Sequence, residues 1–285
     1  MNYGGNKTKA PEASCTVDSL TRILSRSQHL KHFGMPFAFW RISDGIKVLD
    51  TVLSVSKGSL QSLFVEGFFQ SDAIHPQSDE FDRVNNGILS LNRLTELGID
   101  YVFLSDAFVN AMARSYARLK KLKLFDNHYL MYRVEIQQSS WVKLTQACPE
   151  IKVALYTNSD SDWIITMLDP VLPIYDLRMN MSVLRYFRRG SVARLLEHIK
   201  TNFSHSLVEL HMVAGKKEKI DGVFLRLVRQ CTHLVHVNVS ARFTNPKIKK
   251  TVLDIIQKRR RQLHLEKFPE TSHKRMRKNT TDGAV

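Results

Sequence analysis

The chain has 285 residues, an apolar fraction of 43%, and only 12 Gly and 8 Pro, a composition that supports a continuous core and excludes a low-complexity protein. No apolar run reaches the roughly 18 residues of a membrane-spanning helix, and the largely polar first 20 residues hold no apolar segment of a secretory signal. The net charge of +15 leaves acidic partners and nucleic acid open as ligands.

The first helical pattern runs from Thr16 to Leu24, with Leu20, Ile23 and Leu24 on one face. A short strand signature, Leu30-Phe33-Met35, follows it. The same form, Leu-x-x-Leu-x-Leu or a close variant, returns as Leu60-Leu63-Val65, Leu94-Leu97-Ile99 and Leu119-Leu122-Leu124. After a gap of about double length it resumes as Ile174-Leu177-Met179, Leu207-Leu210-Met212 and Leu234-Val237-Val239. Between these strands lie helical stripes: Ile46, Leu49 and Leu53; Phe81, Val84 and Ile88; Phe108, Met112 and Tyr116; Trp141, Leu144 and Cys148. Farther on come Trp163, Thr166 and Met167 before Pro170, then Val192, Leu195, Leu196 and Ile199, then Phe224, Leu227 and Val228. A ninth helix, Ile248 to Ile256, opens after Asn245-Pro246, an N-cap followed by proline at the first helical position.

A fixed apolar signature at a period of 25 to 34 residues marks a solenoid, whose units bury their apolar faces only against one another. Strand and helix alternate, so equivalent strands lie side by side in parallel with helices outside. The expected fold is an α/β leucine-rich-repeat horseshoe of eight or nine units over 15–269. A loose N-terminus over 1–14 and a disordered basic tail over 270–285 flank it. Within the fifth unit Ile151, Val153 and Leu155 fall at alternate places, which leaves its register open.

The step Trp141-x-x-Leu144-x-x-x-Cys148-Pro149-x-Ile151 sets a helix end, a tight turn and a strand start in one short span. Related steps are Leu227-x-x-x-Cys231-x-x-Leu234 and Ile23-x-x-x-Ser27-x-x-Leu30, with a small side chain three places before the strand. Here the chain resembles the leucine-rich-repeat half of F-box proteins, the substrate receptors of cullin-RING ubiquitin ligases. The resemblance covers roughly residues 16 to 268. It implies a non-catalytic protein-recognition module that holds a protein substrate on the concave strand face of a ubiquitin ligase complex. No F-box is visible before Thr16, so a ligase adaptor is expected as a partner only through an upstream F-box. The alternatives are a protein-binding scaffold unrelated to ubiquitination and, in another class, a nucleic-acid binder.

Catalytic motifs are missing: there is no Gly-x-x-x-x-Gly-Lys-Ser/Thr, no Gly-x-Gly-x-x-Gly after a strand, no His-Glu-x-x-His and no Gly-x-Ser-x-Gly. Gly215-Lys216-Lys217 lacks the upstream glycine of a phosphate loop and reads as a solvated turn. The chain is therefore expected to be no enzyme, with no cofactor and no metal. Three Cys, an odd number, make no disulfide framework. A cytoplasmic or nuclear location follows, and the Asn-x-Ser/Thr matches are accidental. Cys148 and Cys231 hold equivalent repeat positions and read as buried small side chains.

Basic residues cluster at Arg118-Lys120-Lys121-Lys123, Arg185-Arg188-Arg189, Lys247-Lys249-Lys250, Lys258 to Arg261 and Lys274 to Lys278. They are dispersed and not interleaved with stacking aromatics, so they suit solubility, nuclear import or steering of an acidic partner better than nucleic acid. If the signature residues point inward, the alternate residues form the binding face. These are Phe64, Glu66, Glu96, Asp100, Lys121, Lys123 and Phe125, then Asp176, Arg178, Glu209, His211, His236 and Asn238. Exposed Phe64 and Phe125 are the expected apolar anchors.

Overall fold

The computed structural model describes residues 12–70, 78–127, 133–182, 190–214 and 219–267. The repeats fall into two compact units, 1–158 and 159–285. In the first unit the order is α1 (Glu12–Ser25), β1 (His32–Gly34), α2 (Ile42–Ser56), β2 (Ser62–Phe64) and α3 (Asp79–Leu89). It continues through β3 (Glu96–Asp100), a 3-10 turn at Tyr101–Phe103, α4 (Asp106–Ser115), β4 (Lys121–Asp126), α5 (Gln138–Ala147) and β5 (Lys152–Thr157). The second unit holds α6 (Ser161–Met167), β6 (Ile174–Asn180), α7 (Ser191–Phe203), β7 (Glu209–Val213), α8 (Asp221–Gln230), β8 (His236–Ser240) and α9 (Pro246–Lys267).

Each strand pairs in parallel with the next in its unit, in the register that the signature demands. Phe33, Leu63, Leu97, Leu122 and Val153 stand side by side across β1 to β5, and Ile99, Leu124 and Leu155 form the row beyond. Leu177, Leu210 and Val237 repeat the arrangement across β6 to β8. These rows are the core: Leu63, Leu97, Leu122, Leu177 and Leu210, at β2, β3, β4, β6 and β7, are fully buried. Burying each such side chain is worth about 1.5–3 kcal/mol. The open register of the fifth unit resolves here, because Val153 and Leu155 align with Leu122 and Leu124 like any other strand. At the ends burial weakens. Leu30 and Met35 beside β1, and Val237 and Val239 in β8, are only half-buried.

Helices start where the sequence supplies a cap. Ser78, Ser105 and Asp160 each accept, through a side-chain oxygen, the N–H of an aromatic residue three places on: Phe81, Phe108 and Trp163. Each cap is worth about 1 kcal/mol, and it fixes the aromatic ring to the buried face. The small residue before the strand has a clear purpose at Cys148. There the S–H lies 2.9 Å from the Tyr116 carbonyl of the preceding unit. Tyr116 holds the corresponding turn position one repeat earlier and donates its hydroxyl to the Ile88 carbonyl. Burial pushes the Cys148 thiol up, and the Cys231 thiol up to about 11, against the nearby Arg259 charge.

Two boundaries differ from expectation. Helix α1 begins at Glu12, inside the stretch read as loose, while 1–11 and the basic tail over 270–285 lie outside the described residues. Helix α9 continues past Ile256 to Lys267. Its middle is bolted to the preceding repeat. Arg259 donates to the carbonyls of Val228, Cys231 and Leu234 at 2.8, 2.8 and 3.2 Å, closing the orphaned C-terminus of α8, and Arg260 Nε reaches the Val235 carbonyl at 2.6 Å. Part of the basic run over Lys258 to Arg261 is therefore structural. Among the described residues, no helix is long and apolar enough to cross a membrane.

Candidate protein-binding face

In the first unit the register sets His32, Ser62, Glu96, Lys121 and Lys152 in one row across β1 to β5. His32 Nδ1 and Ser62 Oγ lie 3.0 Å apart, and Ser62 Oγ donates to Glu96 Oε2 at 3.0 Å. The next row holds Gly34, Phe64, Gly98 and Lys123, and a third holds Asp100, Phe125 and Tyr156.

The expectation that every one of these residues faces solvent is corrected at three acids. Glu66 is 0% exposed, Asp100 6% and Asp176 3%. Glycine explains the first. A Cβ at Gly98 would lie 2.5 Å from Glu66 Oε1, so the missing side chain is the space in which the Glu66 carboxylate lies. From there it meets Lys123 Nζ at 2.8 Å, and that ammonium sits 4.6 Å from the centre of the Tyr156 ring. The contact is ionic, since neither Glu66 oxygen has a well-directed hydrogen-bond donor among the described residues. Asp100 instead turns under the face and accepts the Gly67 N–H at 2.6 Å. Burial pushes its carboxyl up to about 7, the Gly67 bond opposes that rise, and the nearby charges of Glu66 and Asp126 add to it.

That N–H belongs to a turn that displays aromatic side chains. Gly67, at φ +60°, lies beside Phe37, and the segment 35–40 bonds along 64–70: Met35 to Phe64, Phe37 to Glu66, Phe39 to Gly67 and Trp40 to Phe68. Phe37 and Phe39 adopt φ of +60° and +50°, the left-handed region, which costs a bulky residue about 1–2 kcal/mol. Four backbone bonds of 2.7–3.1 Å hold the segment in that state. Both rings are nearly half exposed, at 46% and 48%. The expected anchors are less open. Phe64 is half-buried, with Lys121 Nζ 5.9 Å from its ring, and half-buried Phe125 meets Phe37 edge-on at 5.1 Å. Sequence reasoning missed Phe37 and Phe39, although the run Met35-Pro36-Phe37-Ala38-Phe39-Trp40 directly after a strand was there to be read.

In the second unit Asp176, Glu209 and His236 form one row, and Arg178, His211 and Asn238 the next. Arg178 bridges buried Asp176 at 3.0 Å and Glu209 at 3.5 Å, while His211 Nε2 lies 3.9 Å from Glu209. His236 and Asn238 are exposed on β8.

Chemically the two faces offer charge and contact area. The central acids of the first unit are engaged, Glu66 with Lys123 and Asp100 with the Gly67 N–H. Among the described residues, no group of three or more His, Cys, Asp or Glu could hold a metal ion. Gly215-Lys216-Lys217, Arg185-Arg188-Arg189 and the Lys274 to Lys278 run lie outside the described residues.

No family model matches the chain, and no curated protein matches it. Among solved structures it is similar to the TLR13 chain of a TLR13–ssRNA13 complex, at 15% identity and a TM-score of 0.39. That match covers 78% of this chain and 31% of the other, so this chain spans about a third of its length. The parallel ladder, the inward signature rows and the helix between every pair of strands make this an α/β leucine-rich-repeat fold.

Proposed function

We propose that the chain is a non-catalytic protein-recognition module, and that it binds through the outward strand face of its first unit. The observation that carries this reading is the pair of exposed phenylalanines, Phe37 and Phe39, held in left-handed backbone by four hydrogen bonds. Strained, solvent-facing aromatic side chains beside a charged strand surface are what a protein interface uses as anchors. The finer reading is the substrate-recognition part of an F-box-type receptor of a cullin-RING ubiquitin ligase. Its support is the repeat step around Trp141, Leu144 and Cys148, which the structure uses to lock one repeat onto the last.

The test is site-specific photo-crosslinking in cells. A photoreactive side chain replaces Phe125 in one protein and exposed Lys143, on α5, in another. Protein adducts at 125 that are absent at 143 are expected; equal labelling at both positions would remove the recognition reading. The captured protein should then live longer when the chain is depleted and when cullin neddylation is inhibited. An unchanged half-life would remove the ligase reading and leave recognition standing.

A further inference from the structure

We propose that the first unit's outward face takes an acidic segment of a protein partner, with an apolar residue against Phe37 and Phe39 and carboxylates against Lys121 and Lys152. The proposal rests on reading this face as protein-binding, and it adds the chemistry of the partner. Lys121 and Lys152 are register partners on β4 and β5, so two lysines belong to one face, with the Lys121 ammonium leaning toward Phe64 on β2. Among the described residues, neither meets a carboxylate within ion-pair distance. Lys121 lies over the Phe64 ring, and Lys152 is exposed. Glu96, the row neighbour of Lys121, is held by Ser62, and Glu150 is held by Lys120 at 3.0 Å. The central ammonium is already neutralised, because Lys123 is paired with Glu66. Two lysines without an ion-pair partner among the described residues therefore remain at one end of the face, with exposed aromatic rings at the other.

The spacing fits a short extended peptide. Along β4, Phe125 and Lys121 are four residues apart, roughly 13 Å at strand rise, which about four extended residues span. Phe37 packs edge-on against Phe125, so the aromatic end of that span is a single cluster. A nucleic-acid strand fits less well. Its evenly spaced phosphates would run past Glu96 and over buried Glu66 and Asp100, while the free lysines occupy one end only.

The probe is the labelled peptide Glu-Asp-Ser-Gly-Phe-Leu, with Lys-Lys-Ser-Gly-Phe-Leu and a six-nucleotide oligouridine as controls, read by fluorescence anisotropy against the intact protein. Saturable binding of the acidic peptide alone is expected. The double variant Lys121→Glu, Lys152→Glu should weaken it at least tenfold, as should Phe37→Ser with Phe39→Ser. The milder Lys121→Gln, Lys152→Gln protein, checked for an unchanged circular-dichroism spectrum, keeps the test valid if the charge reversal unfolds. Equal binding of the lysine peptide, binding of oligouridine alone, or indifference to both lysine variants would overturn the proposal. If no peptide binds while crosslinks at position 125 persist in cells, the acidic-partner inference falls and protein recognition survives.

Discussion

Replacing Lys123 by Met tests whether the centre of the face is held by charge. At 2.8 Å, with an effective dielectric of about 20, the Glu66–Lys123 attraction is about 6 kcal/mol, an upper figure from which the desolvation of both groups must be subtracted. The lysine side chain is 18% exposed and the glutamate 0%, so most of that cost falls on Glu66. Removing the cation leaves the carboxylate against the backbone of Gly98 with no other ion-pair partner among the described residues, and Gly98 cannot move aside without disturbing its pairing to β2 and β4. Breaking a buried pair in this way costs about 3–5 kcal/mol. Replacing both residues with apolar ones of similar volume should recover most of it, because the remaining buried charge goes as well. Urea unfolding followed by circular dichroism measures this, with Lys123→Met, Glu66→Met and the double variant compared at one pH. A single-variant loss below about 1 kcal/mol, or a double variant less stable than either single, would refute the reasoning.

Asp100 gives a pH signature. Its carboxyl titrates near 7 in the folded protein against 3.8 when unperturbed, so its contribution is fully present below about pH 4 and is lost as pH rises through 7. Asp100→Asn should flatten that decline and be most stabilising, by a few kcal/mol, when thermal or urea midpoints are compared near pH 8. Arg259→Ala removes the guanidinium that closes the end of α8 and should cost about 2 kcal/mol in urea, while exposed Lys258→Ala stays within about 0.5 kcal/mol. Buried Cys148 and Cys231, with raised thiol pKa values, should resist iodoacetamide at pH 8 until denaturant is added; peptide mass mapping reads the difference.

How far this was legible in the sequence depends on the kind of interaction. Apolar periodicity located every strand, and the caps at Ser78, Ser105 and Asp160 are ordinary side-chain signals. The fifth strand looked irregular because Ile151 stands two places before Val153 where the signature has three, yet Val153 and Leu155 align with Leu122 and Leu124. Helix α9 was read short because the apolar pattern stops near Ile256. What extends it is Arg259 and Arg260 bonding to carbonyls of another repeat, and no local pattern records that contact. On the face, alternation picked out Glu66 and Asp100 but could not report their burial. That burial depends on two glycines, Gly67 and Gly98, contributed by the turn after β2 and by β3, and on a lysine from β4.

The same contacts change what the net charge of +15 means. Lys123 is neutralised by Glu66, Lys120 by Glu150, Arg178 by Asp176 and Glu209, and Arg259 and Arg260 point into carbonyls. Exposed pairs such as Arg194 with Asp162 and Arg226 with Glu197 remove further charge locally while adding little stability. The composition therefore overstates the field at any one surface. Among the described residues, the lysines on the strand face of the first unit without an acidic partner are Lys121 and Lys152, on neighbouring strands. A pair that small cannot hold a polyanion by counterion release, which needs many phosphate contacts. It suits the proposed acidic segment, because a carboxylate placed there would meet cations that have no acidic partner among the described residues, and Phe37, Phe39 and Phe125 would give the rest of the segment somewhere to pack.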